Sequence, residues 1–225
     1  MITASTRLVA LLGHPVGHSL SPRIQNAAFA ALALDWAYVA LDVPPERLEE
    51  AVRGLAAAGF AGANITAPHK LAVAKLVETD APSVNTLAFR DGRIEGVSTD
   101  TAVLEGLEAA HPVVLGDGGA ARAFLQALPH ARAFARRGEW PPDLAGADLV
   151  VNATSARDDV LVELHAGQTL VDLPYPATAT ARAARDAGAR VLDGYDVLVA
   201  QGAASFELWR GLPAPVDTMR AALPS

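Results

Sequence analysis

Short apolar runs alternate along the first part of the chain with longer segments that have a helical pattern. The runs at residues 7–13, 36–43 and 60–65 are predicted to be buried strands, and the segments at 22–34 and 44–59 are predicted to be helices. Ser21-Pro22 opens the first of these helices, since serine is a favoured N-cap and proline suits the first helical position. Strands that alternate with helices predict a parallel sheet covered by helices.

The pattern then changes to a hairpin before the alternation resumes. A helix is predicted at 71–77, and the strand-like runs 84–89 and 93–97 flank Arg90-Asp91-Gly92, which is typical of a hairpin with an Asp-Gly turn. Beyond the hairpin we expect strands at 113–115, 131–135, 149–151, 169–172 and 190–192. We expect helices at 101–109, from the glycines at 116–119 to residue 128, at 177–187 and at 195–209.

The chain is thus predicted to form an α/β fold of two domains. The first covers residues 1–100 and has a mostly parallel sheet, and the second is a compact, abbreviated Rossmann-like domain of residues 101–204. The last helix, about residues 205–225, is expected to pack back on the first domain.

The second domain is short of chain at one crossover. Only residues 138–148 lie between the second strand with its trailing arginines and the next strand, and they include Trp140-Pro141-Pro142. A crossover between parallel strands takes about a dozen residues or more, and two prolines oppose a helix because each removes a donor and crowds the preceding turn. We therefore expect this helix to be missing or reduced to a turn, which would leave one face of the sheet thinly covered.

Composition narrows the range of partners. The 225 residues carry a net charge of −7, which argues against nucleic acid and anionic membranes. The chain has no cysteine, so disulfides and cysteine metal sites are excluded, and no metal is expected. No apolar stretch reaches the ~18 residues of a spanning helix. We expect a cytoplasmic monomer or homodimer that binds a small molecule.

The segment at residues 62–70 joins the third strand to the next helix and ends in Lys70. Lys70 and Lys75 are the only lysines, against sixteen arginines. A lysine at a helix start faces the positive end of the helix dipole, which disfavours it by about 0.3–1 kcal/mol. Unlike arginine, lysine can release its proton. Lys70 is therefore a candidate for proton chemistry, with a solvated helix-start lysine as the alternative.

A glycine-rich turn, Gly116-x-Gly118-Gly119-x-Ala121, follows a strand and opens a helix. Such a turn lets the backbone and the helix start approach a phosphate, although a bare strand–helix turn is the alternative. NAD sites usually place an acid near the end of the next strand to bind the ribose. Here that strand ends in Arg136-Arg137, and no acid precedes Glu139. Two guanidinium groups suit a 2′-phosphate and favour NADP, unless the pair is simply solvated. With the crossover helix missing, we expect weak cofactor binding that leans on both arginines.

Polar residues gather where strands end, at the edge that faces the ligand crevice in a parallel sheet. Ser19 and Ser21 offer two hydroxyls that can hold a carboxylate, although Ser21 is also explained as an N-cap. The ends of other strands carry Asn64, Thr66, Asn85, Thr86, Thr99 and Asp100. Each of these alone fits turn chemistry, but together with Lys70 they suit a polyhydroxylated ligand.

These motifs resemble those of shikimate dehydrogenases. The matches, in order, are residues 13–22 (Gly-His-Pro-Val-Gly-His-Ser-Leu-Ser-Pro), 64–70 (Asn-Ile-Thr-Ala-Pro-His-Lys), 84–86 (Val-Asn-Thr), 98–100 (Ser-Thr-Asp), the glycine turn, 152–154 (Asn-Ala-Thr), and Gln201 with 206–209 (Phe-Glu-Leu-Trp). The resemblance covers nearly the whole chain, and its motifs at 19–22 and 64–70 are highly specific.

The resemblance implies NADPH-dependent reduction of 3-dehydroshikimate to shikimate in aromatic amino-acid biosynthesis. It implies that Lys70 and Asp100 form the catalytic pair. The substrate would be bound by Ser19, Ser21, Asn64, Thr66, Asn85, Thr99, Tyr175 and Gln201. The cofactor, NADP, would be bound by Gly116, Gly118, Gly119, Ala120, Arg136, Arg137, Asn152, Thr154 and Gly194.

Several positions depart from the family pattern. Gln25 stands in place of the usual histidine, Ser98 in place of asparagine, and Asp117 brings a negative charge into the glycine turn. Residues 155–158 lack the usual proline and glycine-methionine. The change at residues 155–158 falls in the loop that the resemblance places on the nicotinamide side of the cofactor.

Two alternatives to this function stay open at the level of sequence. One is a quinate or quinate/shikimate dehydrogenase that prefers NAD, and the other is a protein that binds a cyclic hydroxy acid without efficient turnover. The presence of Lys70 and Asp100 favours the enzyme, and Arg136 favours NADP.

Overall fold

The computed structural model describes residues 2–224, so residues 1 and 225, at the ends of the predicted domains, lie outside it. The chain divides into two compact units. One unit runs up to Thr99 and resumes at Val199, and the other is Asp100–Leu198. Each unit has its own five-stranded sheet. None of the helices in residues 2–224 has both the length and the apolar composition needed to cross a bilayer.

The first unit is built on a mixed sheet. Its strands are β1 (Arg7–Gly13), β2 (Trp36–Asp42), β3 (Gly62–Ile65), β4 (Thr86–Arg90) and β5 (Arg93–Val97), in the order β2-β1-β3-β4-β5. The first three strands are parallel, whereas β4 pairs antiparallel with both β3 and β5. Asp91 and Gly92 in the hairpin both have positive φ, at 49° and 76°, as a type I′ turn requires.

Helices cover this sheet and complete its core. They are α1 (Ser21–Ala31), α2 (Leu48–Ala57), which follows a 3₁₀ turn at Pro45–Arg47, and the single-turn helix α3 (Lys70–Val73). Leu12, Val52 and Ile65 are at most 2% exposed and belong to one apolar cluster between α2 and the sheet. Burying each such side chain contributes about 1.5–3 kcal/mol.

Asn26 of α1 protects the edge of the sheet. Its Nδ2 donates to Tyr38 O at 2.9 Å, and its Oδ1 accepts from Tyr38 N at 2.9 Å. Tyr38 lies in β2, which is an edge strand, and unpaired backbone groups on an edge are open to pairing with another chain. The Asn26 amide thus replaces a neighbouring strand at this position.

The second unit has an entirely parallel sheet. Its strands are β6 (Pro112–Leu115), β7 (Arg132–Phe134), β8 (Leu149–Asn152), β9 (Thr169–Asp172) and β10 (Arg190–Leu192), in the order β10-β9-β8-β6-β7, and its helices are α4 (Gly119–Ala127) and α5 (Ala179–Asp186). This order equals the Rossmann order 3-2-1-4-5-6 with its third strand removed. The α/β fold with a compact Rossmann-like second domain is therefore confirmed.

Loops replace helices at two crossovers of this unit. Residues 135–148 and 153–168 contain no helix, and the first of these absences was predicted. The expectation of a thinly covered sheet face is wrong, however. Trp140, Leu144 and Leu161 pack against a cluster that includes Leu164 and the fully buried Val150. Apolar side chains of the loops thus cover the sheet face that a helix would otherwise cover.

The C-terminal segment forms two helices rather than the single last helix expected at about 205–225. They are α6 (Gly194–Arg210) and α7 (Val216–Ala221). Helix α7 packs against α1 within the first unit. Gly211, at φ +63°, lies between the two helices, and this conformation suits the end of a helix.

Three local predictions are wrong. The helix expected at 101–109 is only a 3₁₀ turn, Asp100–Leu104, because Gly106 at φ +73° turns the chain. The helix expected at 71–77 is the single turn α3, so little helix dipole acts on Lys70. Leu20, rather than Ser21, is the N-cap of α1, and no side chain caps that helix.

We predict that Gly62→Ala lowers the stability of the fold. Leu87 O and Trp209 Nε1, which are themselves hydrogen-bonded at 2.9 Å, occupy the place of a side chain at Gly62. Overpacking of this kind costs about 1–3 kcal/mol. The matched control is Gly54→Ala in α2, where nothing lies within 4 Å of the added carbon and the free energy of unfolding should rise by about 0.5–1 kcal/mol. Denaturant unfolding measures both, and equal effects of the two changes would refute the packing argument.

Candidate functional site

Asn64 of β3 lies at the centre of a buried hydrogen-bond network in the first unit. Asn64 is buried, with only 4% of its surface exposed. Tyr38 Oη donates to Asn64 Oδ1 at 2.8 Å. Asn64 Nδ2 lies 3.0 Å from Thr86 Oγ1 and 2.9 Å from Ser205 Oγ. Both ends of this amide bind protein groups, so Asn64 holds neighbouring elements together.

Thr99 links the same network to Asn85 and to α6. Thr99 N donates to Asn85 Oδ1 at 2.7 Å, and Asn85 Nδ2 donates to Thr99 Oγ1 at 3.0 Å. Thr99 Oγ1 donates to Gln201 O at 3.1 Å, and Ser205 Oγ donates to the same carbonyl at 2.9 Å. The structure thus brings together the predicted residues Asn64, Asn85, Thr99 and Gln201.

Tyr38 and Ser205 complete this network and were missed in the sequence. Ser205 stands four residues after Gln201, a spacing that places both on one face of a helix and was an available signal. Tyr38 gives no such signal, because only the register of β1 with its two neighbours brings the tyrosine hydroxyl to Asn64.

Ser19 and Ser21 form a hydroxyl pair at the start of α1. Their Oγ atoms lie 3.3 Å apart, and Ser21 N donates to Ser19 Oγ at 3.2 Å. Ser21 is 7% exposed, and Ser19 is half-buried. Ser21 is not the cap of this helix, so its hydroxyl is not committed to helix capping, and Ser19 Oγ accepts the long bond from Ser21 N.

His69 anchors the loop that carries Thr66 and Lys70. Its ring is 1% exposed, and its Nε2 lies 2.7 Å from Val43 O, so Nε2 carries the proton. His69 N donates to Thr66 O at 2.9 Å. Lys70 begins α3 and is half-buried. The histidine is therefore a positioning residue for this loop, a role that the sequence did not suggest.

In the glycine turn after β6, the backbone lies close to the neighbouring segment at Ala153. Gly116 has φ +121°, and an added Cβ would lie 2.9 Å from Ala153 O, so only glycine fits. Gly118 precedes α4 with nothing within 4 Å of its Cβ position. No side chain caps the amides that follow, at Gly119 and Ala120. The turn lies between β6 and β8, where the strand order reverses and doubly wound sheets bind ligands. These residues fit a pyrophosphate group.

Asp172 joins the ends of β8 and β9. Asn152 Nδ2 donates to Asp172 Oδ1 at 2.7 Å, and Thr178 Oγ1 donates to Oδ2 at 2.8 Å. Asn152 Oδ1 in turn accepts from Thr154 Oγ1 at 2.7 Å, and the Thr178 side chain caps α5. One carboxylate thus holds both the turn that begins at Asn152 and the loop that carries Tyr175. Burial raises the pKa of the Asp172 carboxyl, although its hydrogen-bond donors oppose that rise.

Tyr175 and Gly194 lie around the turn after β9. The Tyr175 ring is 5.9 Å from the ring of Tyr195. Gly194 begins α6, and the Pro174 carbonyl occupies the place of a side chain there. Glycine at this position lets the start of α6 lie against the Tyr175 loop.

The two arginines after β7 have different surroundings. Arg136 Nη2 is 3.5 Å from Asp159 Oδ2, and the Arg136 guanidinium is 5.8 Å from the centre of the Trp140 ring. Arg137 is exposed. The sequence presents these arginines as an equivalent pair and gives no sign of Asp159, whereas in the structure Arg136 has the carboxylate neighbour Asp159.

The predicted residues fall into two sets, one in each unit. The first unit holds Ser19, Ser21, Asn64, Thr66, Lys70, Asn85, Thr99 and Gln201. The second unit holds Asp100, Tyr175 and all the predicted cofactor-binding residues. Within residues 2–224, no group of three His, Asp or Glu side chains is placed to hold a metal ion.

We predict that Asp172→Asn changes how stability depends on pH. Because folding raises the pKa of Asp172, the wild-type carboxyl favours the folded state most below its unfolded pKa, and this contribution is lost as the pH rises through the folded pKa. Asparagine does not ionise. The free energy of unfolding of the variant relative to wild type should therefore increase as the pH rises from the unfolded pKa of an aspartate, about 3.9, through the higher folded pKa, by about 1.4 kcal/mol per unit of pKa shift. Denaturant unfolding across this range measures it, and a difference independent of pH would contradict it.

Similarity to known proteins extends over the whole chain. Residues 11–87 match the family model of the shikimate dehydrogenase substrate binding domain, and residues 194–223 match that of the shikimate 5′-dehydrogenase C-terminal domain. A shikimate dehydrogenase (NADP(+)) from an Anaeromyxobacter species is 42% identical over 272 aligned positions, which cover 99% of this chain and 98% of the relative. Since this chain has 225 residues, the relative has segments that this chain lacks.

Solved structures share the architecture. A shikimate dehydrogenase crystallised with NADP+ has a TM-score of 0.89 and 30% identity, with 99% of this chain and 96% of that chain covered. The Thermus thermophilus enzyme, in complex with NADP(H) and shikimate, has a TM-score of 0.84 and 31% identity, with 96% and 98% covered. These similarities confirm the resemblance predicted from the motifs, and this chain belongs to the shikimate dehydrogenase family.

Proposed function

We propose that this protein is an NADP-dependent shikimate dehydrogenase, which reduces 3-dehydroshikimate to shikimate in aromatic amino-acid biosynthesis. The observation that carries the proposal is its similarity, along the whole chain, to relatives named for this activity. The crystal structures of two neighbours, one with NADP+ and one with NADP(H) and shikimate, agree with it. A cytoplasmic location and a monomeric or homodimeric state stay predictions.

We assign the substrate carboxylate to Ser19 and Ser21. Their hydroxyls lie 3.3 Å apart, so one carboxylate can accept a hydrogen bond from each. Such a ligand replaces the weak bond between the two hydroxyls with two charge-assisted ones, which are about twice as strong as neutral hydrogen bonds.

The ring hydroxyls of the substrate are assigned to polar groups at strand ends. These are Thr66, Asn85 and Asp100. Gln201 of α6 is assigned to the same ring, and Tyr175 lines the site. Asn64 and Thr99 bind partners inside the first unit. We therefore propose that they hold Asn85 and the backbone of Gln201 in position. Such positioning matters because displacing a substrate-binding group by about 1 Å can lower the rate about 10²-fold.

Lys70 carries the proton chemistry in this proposal. NADPH supplies the hydride that reduces the ketone carbon of the substrate. The Lys70 ammonium stabilises the negative charge that develops on the ketone oxygen and delivers a proton to that oxygen. Asp100, which is 5% exposed, orients the Lys70 side chain and accepts hydrogen bonds from the substrate. His69 holds the loop in which Lys70 lies through its bond to Val43 O.

The cofactor is assigned to the second unit. The pyrophosphate belongs to the glycine turn, where Gly116 packs closely on Ala153 and Gly118 leaves open space, and to the first amides of α4, at Gly119 and Ala120. Arg136 and Arg137 are assigned to the 2′-phosphate. Asn152, Thr154 and Gly194 shape the loops beside the bound cofactor.

The two alternatives are not favoured. The Anaeromyxobacter relative and several others are named as NADP(+)-dependent shikimate dehydrogenases, which speaks against a quinate enzyme that prefers NAD. Lys70 and Asp100 are both present, which speaks against a protein that only binds its ligand.

Replacing Lys70 should lower turnover more than substrate affinity, because the ammonium acts mainly on charge that develops during the reaction. For Lys70→Ala we expect a loss in kcat of about 10²–10⁴-fold. Lys70→Arg should stay equally slow, since a guanidinium does not release its proton near neutral pH. Lys75→Ala, which removes the other and exposed lysine, is the matched control and should keep wild-type kinetics. Steady-state oxidation of shikimate by NADP+ measures all three, and near wild-type kcat in Lys70→Ala would rule out this role.

Replacing either serine should weaken substrate binding with little loss of stability. Ser19→Ala and Ser21→Ala each remove one donor to the carboxylate, which contributes about 1.5–3 kcal/mol, so KM for shikimate should rise roughly tenfold or more. Ser21→Ala should not cost the stability of a lost N-cap, because the Ser21 side chain does not cap α1. KM for NADP+ is the internal control and should stay unchanged. An unaltered KM for shikimate in both variants would refute the carboxylate assignment.

A further inference from the structure

Arg136 lies beside the glycine turn, at the end of the second strand of its unit. Gly116 N donates to Phe134 O at 2.8 Å, so the backbone that leads to Arg136 is bound to the turn itself. The Arg136 guanidinium lies over Trp140, 5.8 Å from the ring centre. Arg136 Nη2 is 3.5 Å from Asp159 Oδ2. The end of this strand therefore presents both a cation and an anion.

Asp159 reaches Arg136 from a loop that is fixed on both sides. Ala179 N donates to Arg157 O at 2.7 Å, and Leu161 N donates to Thr180 Oγ1 at 3.0 Å. Thr180 Oγ1 also donates to the carbonyl of Asp159 at 3.3 Å. These bonds tie residues 157–161 to the start of α5. The position of Asp159 is thus set by the fold rather than by its weak contact with Arg136.

The pair of charges is open to a ligand. The side chains of Arg136 and Asp159 are 57% and 75% exposed, and an exposed pair of this kind contributes only about 0–1 kcal/mol. A phosphate, with nearly two negative charges, competes easily for the guanidinium. It does so next to a carboxylate of the same sign, which lowers its affinity.

An acid in this place has a known task in dinucleotide sites. In NAD sites a carboxylate near the end of the second strand binds the ribose hydroxyls, and in NADP sites an arginine accommodates the 2′-phosphate. The second strand of this chain supplies only arginines, with no acid before Glu139. The helix-free crossover after β8 brings Asp159 to the same place from a different segment.

We propose that Asp159 is the residue that sets the balance between NADP and NAD in this protein. Arg136 attracts the 2′-phosphate of NADP, while Asp159 repels it and accepts a hydrogen bond from the ribose hydroxyl of NAD. The inference rests on the proposed function, since it concerns the cofactor of that reaction. It predicts a weaker preference for NADP than two free arginines would give.

Asp159→Asn tests the proposal with a readout that needs no turnover. Calorimetric titration of the purified full-length protein with NADP+ and with NAD+ gives both Kd values. We expect Kd for NADP+ to fall by about threefold to tenfold, because one like charge leaves the phosphate site. Kd for NAD+ should rise by about twofold to fivefold, because a charge-assisted bond to the ribose is weakened. The matched control is Asp158→Asn, an equal change of charge at the adjacent exposed residue, which should leave the ratio of the two Kd values within about twofold of wild type.

Opposite changes in the two affinities are the decisive sign, since a purely structural effect moves both in the same direction. In an Arg136→Ala background, Asp159→Asn should tighten NADP+ by a smaller factor than in the wild type, because it then removes only the repulsion of the phosphate and no longer also frees the Arg136 guanidinium. Equal effects of Asp158→Asn and Asp159→Asn, or parallel changes for both cofactors, would overturn the proposal and leave the proposed function intact. A wild-type protein that binds neither cofactor would overturn both.

Discussion

Hydrogen bonds among buried side chains around Asn64 hold the first unit together. Ser205, which bonds to Asn64, is 141 residues away in the sequence. Trp209 and Gln25 add bonds to Leu87 O and Gly202 O, at 2.9 and 2.8 Å. A buried polar group left unpaired costs about 1–3 kcal/mol. Docking of the C-terminal half of α6 and pairing of β3 with β4 therefore support each other through Asn64.

The second unit is shaped by the segments that it lacks relative to a complete Rossmann fold. Loss of the third Rossmann strand and of two crossover helices leaves β7 at the edge of the sheet. Trp140 and Leu161, which lie in loops rather than helices, cover this face of the sheet. The same loops carry Asp159 to Arg136. In our proposal, the loops that replace helices thereby change the charge at the position where dinucleotide sites distinguish their cofactors.

The sequence revealed those features that arise from local patterns. Apolar runs identified the strands of both sheets, and Asp91-Gly92 identified the hairpin turn, because periodicity and turn chemistry are local properties. The short stretch at residues 138–148 and its Trp140-Pro141-Pro142 together predicted the lost crossover helix. The helix expected at 101–109 failed where Gly106 turns the chain, since a glycine lowers helix propensity without marking where the turn will fall.

Only some residues of the candidate site could be predicted from the sequence. Motifs located Asn64, Asn85 and Thr99, but not Tyr38, whose hydroxyl meets Asn64 through strand register alone. Asp159 lies 23 residues beyond Arg136, in a loop with no regular pattern. Contacts of this kind depend on how segments pack, which neither hydrophobic periodicity nor spacing encodes.

Initial rates of NADP+ reduction by the purified protein in the presence of shikimate test whether this protein is an NADP-dependent shikimate dehydrogenase. The matched reactions replace shikimate with quinate, and NADP+ with NAD+. We expect kcat/KM to be highest for shikimate with NADP+, and the reaction to yield 3-dehydroshikimate. Shikimate binding without turnover under any of these conditions, or a higher kcat/KM for quinate with NAD+, would contradict the account.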